Sequence, residues 1–397
     1  MKRALLIALV VALAGWGVLA GQADRQVIGS DLGLPFSSAV RAGGFIYVSG
    51  AIAQNPDGSR PEGIAAQTRR TLEQLDETLK QAGSSLQNAV AVLVYLKDPA
   101  DFQAMNEVYQ QVWTADPPTR TTIQANLARA DALAEIAVTA VPDGAERVIV
   151  RPEGWRPSSV LSPAIRSGQT VFLSGLVGRD YATGEVATGI DGQTRAILRN
   201  AGQALEAAGL THADVTAVRV FIRDVALFQD MNTAYRETFQ TDRPARATVV
   251  APAMNDQYLI EMTMVAVGDP NRRAIIVPRA DGTLPDSPFS SAIEAGGRLF
   301  LSGALGVTDA TRDDAGAQTR EVMSRLGRVL DLAGYDWSDV VESAVFLRSM
   351  SDYDAMNAAY RETFTSGDLP ARATVEAGLV SADGLVEIMM TAVKAPN

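Results

Sequence analysis

The chain has 397 residues, 47% hydrophobic and 20% charged, a globular composition long enough for two or three domains. Its formal net charge of −11, with no run of Lys and Arg, counts against nucleic acid, whose binding is mostly phosphate neutralisation by those side chains. With no cysteine and a single histidine, neither a disulfide framework nor a metal site of the usual His/Cys kind is expected; His212, in GLTHADV, reads as a surface residue in a loop.

The first residues form a segment of their own. Lys2 and Arg3 precede an apolar run from Ala4 to about Leu13, and small residues follow up to Ala20 and Ala23. That order predicts a secretory signal peptide over 1–23, with an uncleaved membrane anchor as the alternative reading. Export to the periplasm or outside the cell follows, with no stable membrane association after cleavage. Without Lys2 and Arg3 the chain keeps 33 basic and 46 acidic residues, a net charge of −13.

After the leader the same landmarks pass three times. An apolar segment opens each unit, as Pro35-Phe36-Ser37-Ser38-Ala39-Val40, Val160-Leu161-Ser162-Pro163-Ala164-Ile165 and Pro288-Phe289-Ser290-Ser291-Ala292-Ile293. A turn and a second apolar run follow, ending in Ser49-Gly50, Ser174-Gly175 and Ser302-Gly303, which predicts a β-hairpin. Helices begin around Gln67, Gln193 and Gln318; in the first, Leu72, Leu75 and Leu79 form the apolar stripe, and Gly83, Gly209 and Gly334 close the three. Strands are predicted over 89–96, 215–222 and 340–347. Second helices then carry Met105-Asn106-x-x-Tyr109, Met231-Asn232-x-x-Tyr235 and Met356-Asn357-x-x-Tyr360. The spacing from glutamine to asparagine is identical in every unit, Gln67 to Asn106, Gln193 to Asn232 and Gln318 to Asn357.

Each unit closes on two further apolar strands. One begins with Arg120, Arg246 or Arg372, followed two residues on by Thr122, Thr248 or Thr374; the other carries Glu135, Glu261 or Glu387. Arginines and glutamates both recur at one constant interval, too long a period for a solenoid. The reading is therefore α+β, with three tandem β-β-α-β-α-β-β domains over 30–142, 150–268 and 275–395. Linkers rich in Pro, Gly, Asp and Arg are read at 142–157 and 268–288. A hairpin of the last two strands would set each arginine within a few rungs of the glutamate of its own unit.

Taken together, P-F-S-S-A-V, the strand ending Ser-Gly, Q-T-R, M-N-x-x-Y, P-A-R-A-T-V and V-E-I resemble the YjgF/RidA family, in triplicate over almost the whole mature chain. The resemblance implies a chorismate-mutase-like domain with two helices on one face of a mixed sheet. Members usually form homotrimers with a pocket at each interface, so three linked copies imply a monomer acting as its own trimer, with approximate threefold symmetry. It also implies an enamine/imine deaminase that hydrolyses 2-imino acids to 2-keto acids and ammonia, without cofactor or metal. Arg120, Arg246 and Arg372 would grip the substrate carboxylate bidentately. Glu135, Glu261 and Glu387 would orient water and shuttle the proton. Thr122, Thr248 and Thr374, with main-chain groups at Ser49-Gly50, Ser174-Gly175 and Ser302-Gly303, would line the same pocket. Many members carry tyrosine where Phe36, Leu161 and Phe289 stand, and cysteine at the three threonines.

Two other readings stand beside the deaminase. One is a non-catalytic binding protein for small carboxylates such as 2-keto acids. The other is structural, each Arg–Glu pair being a buried ion pair that pins an interface. Gln67, Gln193 and Gln318 read as packing residues, Asn106, Asn232 and Asn357 as structural hydrogen-bonders, and the nearby Met and Tyr as core. Finally, the interval from Ser-Gly to Gln-Thr-Arg differs among the units, longest in the second and shortest in the third, so three non-identical pocket mouths are expected.

Overall fold

A computed structural model describes residues 25–29, 33–364 and 369–394, so the leader read over 1–23 lies outside the described residues. Each unit is a mixed sheet with two helices on one face. In unit 1 the sheet order is Gln26–Ile28, Ala39–Ala42, Phe45–Ile52, Ala134–Ala140, Ala89–Leu96 and Thr119–Gln124. Only the last pair is parallel; the others are antiparallel. The hairpin turns at Gly43 and Gly44, with φ of 58° and 79°, the left-handed pair that a two-residue turn between twisted strands requires. Units 2 and 3 repeat this order.

The helices are α1 (Ile64–Gln81) and α2 (Phe102–Val112) in unit 1, α3 (Gly189–Ala207) and α4 (Phe228–Thr238) in unit 2, and α5 (Ala315–Ala333) and α6 (Tyr353–Arg361) in unit 3. Their apolar faces bury against their own sheet, as Leu72, Leu75 and Leu79 of α1 do against Val92, Val94, Ile136 and Val138. The opposite faces of the three sheets turn toward one another. Tyr95, Phe221 and Phe346, equivalent residues of the three units, share one buried cluster with Ile123, Val249 and Val375.

Two expectations are corrected. The predicted linkers contain edge strands, Val148–Val150 and Arg273–Ile275, which extend the sheets of units 2 and 3. More consequentially, the arginine and glutamate strands do not form a hairpin. The strand Ala89–Leu96 lies between Thr119–Gln124 and Ala134–Ala140, pairing parallel with the first and antiparallel with the second. Arg120 stands opposite Val92 and Glu135 opposite Tyr95, and the same holds in units 2 and 3. The parallel pair is made by the crossover through α2, which a short sequence interval cannot show.

The three units close into a ring. The end of each arginine strand pairs with chain just beyond the arginine strand of the next unit: Ile123 bridges Ala253, Val249 and Val250 pair with Leu379 and Gly378, and Val375 and Glu376 pair with Leu127 and Asn126. Unit 1 thus meets unit 2, unit 2 meets unit 3, and unit 3 returns to unit 1. We call these junctions the first, second and third seams.

Candidate functional site

Each seam joins the arginine strand of one unit to the Ser-Gly segment and glutamate strand of the next. The serine side chains are the pins. Arg120 N–H donates to Ser174 Oγ at 2.9 Å, Arg246 N–H to Ser302 Oγ at 2.8 Å, and Arg372 N–H to Ser49 Oγ at 2.8 Å. Each seryl hydroxyl donates in turn to the backbone of its own unit, at Ser162, Ser290 and Ser37. With donor and acceptor both engaged, these serines hold the neighbouring strand in register.

The glycine beside each serine has a different task. A Cβ on Gly50, Gly175 or Gly303 would collide with Oε1 of Glu135, Glu261 or Glu387 of the same unit. In units 1 and 3 the ladder slips at this point, between Val48 and Ala51 and between Leu301 and Ala304, the signature of a bulge that re-aims the glutamate's surroundings. Only glycine leaves room for the carboxyl.

The carboxyl group therefore faces the arginine of the preceding unit, not of its own. Glu261 feels Arg120, Glu387 feels Arg246, and Glu135 feels Arg372. All six side chains are buried, the arginines 3%, 1% and 2% exposed and the glutamates 6%, 3% and 5%. Among the described residues no ion pair joins any of these couples, so the reading of a pinning salt bridge fails: cation and carboxyl face each other without contact. Burial is the main influence on each glutamate and pushes its pKa up to about 8; the backbone of Thr122, Thr248 or Thr374 and the facing arginine pull weakly the other way. Burial thus favours the protonated form of each carboxyl. Burial also lowers the arginines, which remain cations.

The second helix of each unit holds the guanidinium from behind. Tyr109 of α2, Tyr235 of α4 and Tyr360 of α6 place their rings 4.7, 4.7 and 4.9 Å from Arg120, Arg246 and Arg372. Arg246 Nη2 donates to Asn232 Oδ1 at 2.6 Å and Arg372 Nη2 to Asn357 Oδ1 at 2.7 Å. M-N-x-x-Y is thus the support of the clamp, a role the helical spacing alone did not disclose. Asn106 departs from the pattern: its Oδ1 is buried without a partner, as is Nη1 of Arg120.

Thr122, Thr248 and Thr374 each bury a hydroxyl that has no partner. Hydroxyls and guanidinium nitrogens without a protein partner recur at all three seams, and such groups are costly unless water or a ligand bonds to them. At the first seam they open into a cavity of about 360 Å³ lined by Arg120, Thr122, Ser174, Gly175 and Glu261, all five expected as site residues, together with Leu161. A smaller cavity of about 200 Å³ touches Ser302 and Gly303 but is lined by neither Arg246 nor Glu387.

The remaining expectations fall into place with small changes. Gln67, Gln193 and Gln318 are buried and use their amides to tie the first helix to the loop before the glutamate strand, as in Leu133 N–H to Gln67 Oε1 at 2.8 Å. His212 is half-buried rather than free on the surface, its Nε2 2.9 Å from Leu198 O and its ring edge-on to Phe239. The variable loop of unit 2 does reach the first-seam cavity, through Val177, Arg179 and Tyr181. Trp155 and Arg156, which also line it, come from the segment read as a linker, where no repeat pointed to them.

The family model described as Endoribonuclease L-PSP matches this chain three times, over 32–142, 154–268 and 282–394. The RutC family protein slr0709 of Synechocystis is 37% identical over 123 residues, which span 95% of that protein and 30% of this chain. A solved member of the YjgF protein family from Neisseria meningitidis is 33% identical, covering all of that chain and 32% of this one, with a TM-score of 0.28. A chorismatase structure covers 77% of this chain and 93% of its own with a TM-score of 0.51 and 17% identity, a likeness of fold.

Proposed function

The chain belongs to the Endoribonuclease L-PSP family, and from that premise we propose that its seams bind small 2-oxo and 2-imino acids and that it hydrolyses 2-imino acids to 2-keto acids and ammonia. The observation that carries this reading is a buried arginine with an unpartnered N–H, set across a cavity from a carboxyl that burial drives toward its neutral form. A guanidinium fork suits a planar carboxylate. The Thr122 hydroxyl supplies a further hydrogen bond to the same ligand.

With the carboxylate on Arg120, the imine lies toward Glu261. The acid gives its proton to the imine nitrogen and water adds to the carbon. The glutamate takes back a proton from the added water, leaving a carbinolamine and a neutral acid. A second transfer of the same kind moves a proton from the hydroxyl to the amine, and ammonia departs from the keto acid. No redox partner is needed. The net charge of −13 for the mature chain speaks against RNA as the substrate. The leader read over 1–23 supports an activity outside the cytoplasm, and fractionation of cells producing the tagged chain tests that.

A second reading, a binding protein without catalysis, draws on Phe36, Leu161 and Phe289, which offer no phenolic proton donor beside the arginine. One assay separates the two. Imino acid is generated by an amino-acid oxidase and the excess rate of keto-acid release is followed. No excess rate beside measurable keto-acid binding would leave the binding protein. Persistence of binding and turnover after Arg120, Arg246 and Arg372 are all replaced by Ala would remove the site.

A further inference from the structure

The first-seam cavity is larger than a three- or four-carbon imino acid requires; at about 360 Å³ it falls among sites that enclose drug-sized ligands. Arg120 and Glu261 occupy one part of its wall. Elsewhere the wall is largely apolar, with one aromatic and cationic group, Trp155, Tyr181, Tyr258, Arg156 and Arg179.

These groups are organised. Trp155 and Tyr181 stack with centroids 4.3 Å apart and planes 10° from parallel. Trp155 Nε1–H donates to Gln203 Oε1 at 2.9 Å, and Tyr181 Oη accepts from Val177 N–H at 3.1 Å, so neither ring is free to turn. The Arg179 guanidinium lies 4.6 Å from the Tyr181 ring centre. Its backbone is fixed on both sides, N–H to Val177 O at 2.7 Å and O from Asn200 Nδ2 at 2.7 Å. Its Nε is buried without a partner.

Charge singles the two arginines out. Among the described residues neither Arg156 nor Arg179 has a carboxylate within ion-pair distance, whereas Arg236 and Arg320 each have one and Arg195 has two. In a chain with a net charge of −11, arginines without ion pairs lining a cavity whose one acid is driven toward its neutral form by burial favour an anion locally. The second-seam cavity beside Ser302 and Gly303 has cations of a different origin, Arg325, paired with Glu321, and Arg328, both from α5. Four residues beyond the site glycine, where unit 2 has Arg179, units 1 and 3 have Gln54 and Val307.

We infer that the first-seam pocket takes a dianionic 2-imino or 2-oxo acid: the α-carboxylate on Arg120, an apolar middle against Trp155 and Tyr181, and a second carboxylate on Arg179 with Arg156 at the mouth. The inference rests on the reading of Arg120 as the α-carboxylate clamp. It makes Arg179 a specificity residue of the first seam.

The test uses the full mature chain carrying R246A and R372A, so that only the first seam is read. Calorimetry compares 2-oxohexanoate with 2-oxoadipate, which share a six-carbon frame and differ by the terminal carboxylate. The dianion is expected to bind at least about tenfold more tightly, as a charge-assisted hydrogen bond implies. R179Q should abolish most of that preference and leave 2-oxohexanoate within about twofold; R156Q should lower the preference by less. Equal affinities for the two acids, or an undiminished preference in R179Q, would overturn the inference. R120A separates this from failure of the underlying reading. If R120A leaves 2-oxohexanoate binding intact, the clamp itself is wrong; if R120A abolishes it while the two acids bind alike, only the dianion inference falls.

Discussion

The second and third seams enclose their arginine, while the first leaves it open. Phe289 covers Arg246 at 5.3 Å and Phe36 covers Arg372 at 5.1 Å, each contributed by the following unit. Asn232 and Asn357 complete the enclosure by accepting from the guanidinium. At the first seam Leu161 stands in place of the phenylalanine, Asn106 makes no such bond, and the arginine faces a cavity of about 360 Å³. Three copies of one arrangement have kept the clamp and diverged in access to it. Keeping the charged residues is therefore compatible with unequal work. The comparison predicts that turnover belongs mainly to the first seam.

The strongest way to break that prediction is to remove the acid. E261Q should lower the first-seam rate by about 10² to 10⁴, the usual worth of a positioned general acid–base group, whereas E387Q and E135Q should leave most of the turnover in place. Equal losses in single-turnover measurements on the three variants would show three equivalent sites. Next in size, R120A should cost about 2–5 kcal/mol of 2-keto-acid binding, as truncation of a buried charged partner does, and R246A or R372A distinctly less of the total. Titration calorimetry on the single variants reads this directly.

G175A is a smaller and more local perturbation. Its methyl group would displace the Glu261 carboxyl, so activity should fall while the denaturation midpoint drops by no more than overpacking of about 1–3 kcal/mol implies. Smallest is the pH effect. Each glutamate is raised from 4.5 to about 8 in the folded chain, so the folded state binds more protons than the unfolded state between those values. Stability is then greatest toward the acidic side and declines as pH rises through about 8, as does a rate that needs the neutral acid. Replacing all three glutamates by Gln should flatten the stability profile; an unchanged slope would mean that the carboxyls are ionised.

Much of this was legible from residues alone, because repetition makes landmarks visible. The arginines, glutamates, threonines and Ser-Gly pairs meet at the seams, around one cavity at the first, and the helix positions of Leu72, Leu75 and Leu79 follow from period. What misled was distance along the chain. Arg120 and Glu135 are near neighbours in sequence, yet the strand Ala89–Leu96 runs between their strands. Glu261, a whole unit further along the chain, is the group Arg120 faces. Sheet order is set by a crossover that no local pattern records. Trp155, Arg156 and Arg179 were missed for the opposite reason: they occur once, and a reading built on what repeats passes over what does not. The unequal loop lengths were the available signal.

The ring also bears on how the chain is made. Unit 1 has its serine pin ready early, but Arg372, which docks on Ser49, lies 323 residues downstream, and Leu369, which accepts from Ser37, lies 332 residues downstream. The strand Gly378–Leu379 that extends the sheet of unit 2 arrives later still. Each unit can form its own core as it emerges, yet the third seam cannot form until the final stretch of chain is synthesised, and until then the first unit presents an unpaired edge. A nascent chain halted before residue 369 would hold two folded cores, a third unit whose sheet lacks the interior strand Val386–Val393, and one completed seam, the first. Completion of the ring thus waits for the third unit, and a stop codon before residue 369 should harm Glu135 of the first unit as much as the residues it deletes.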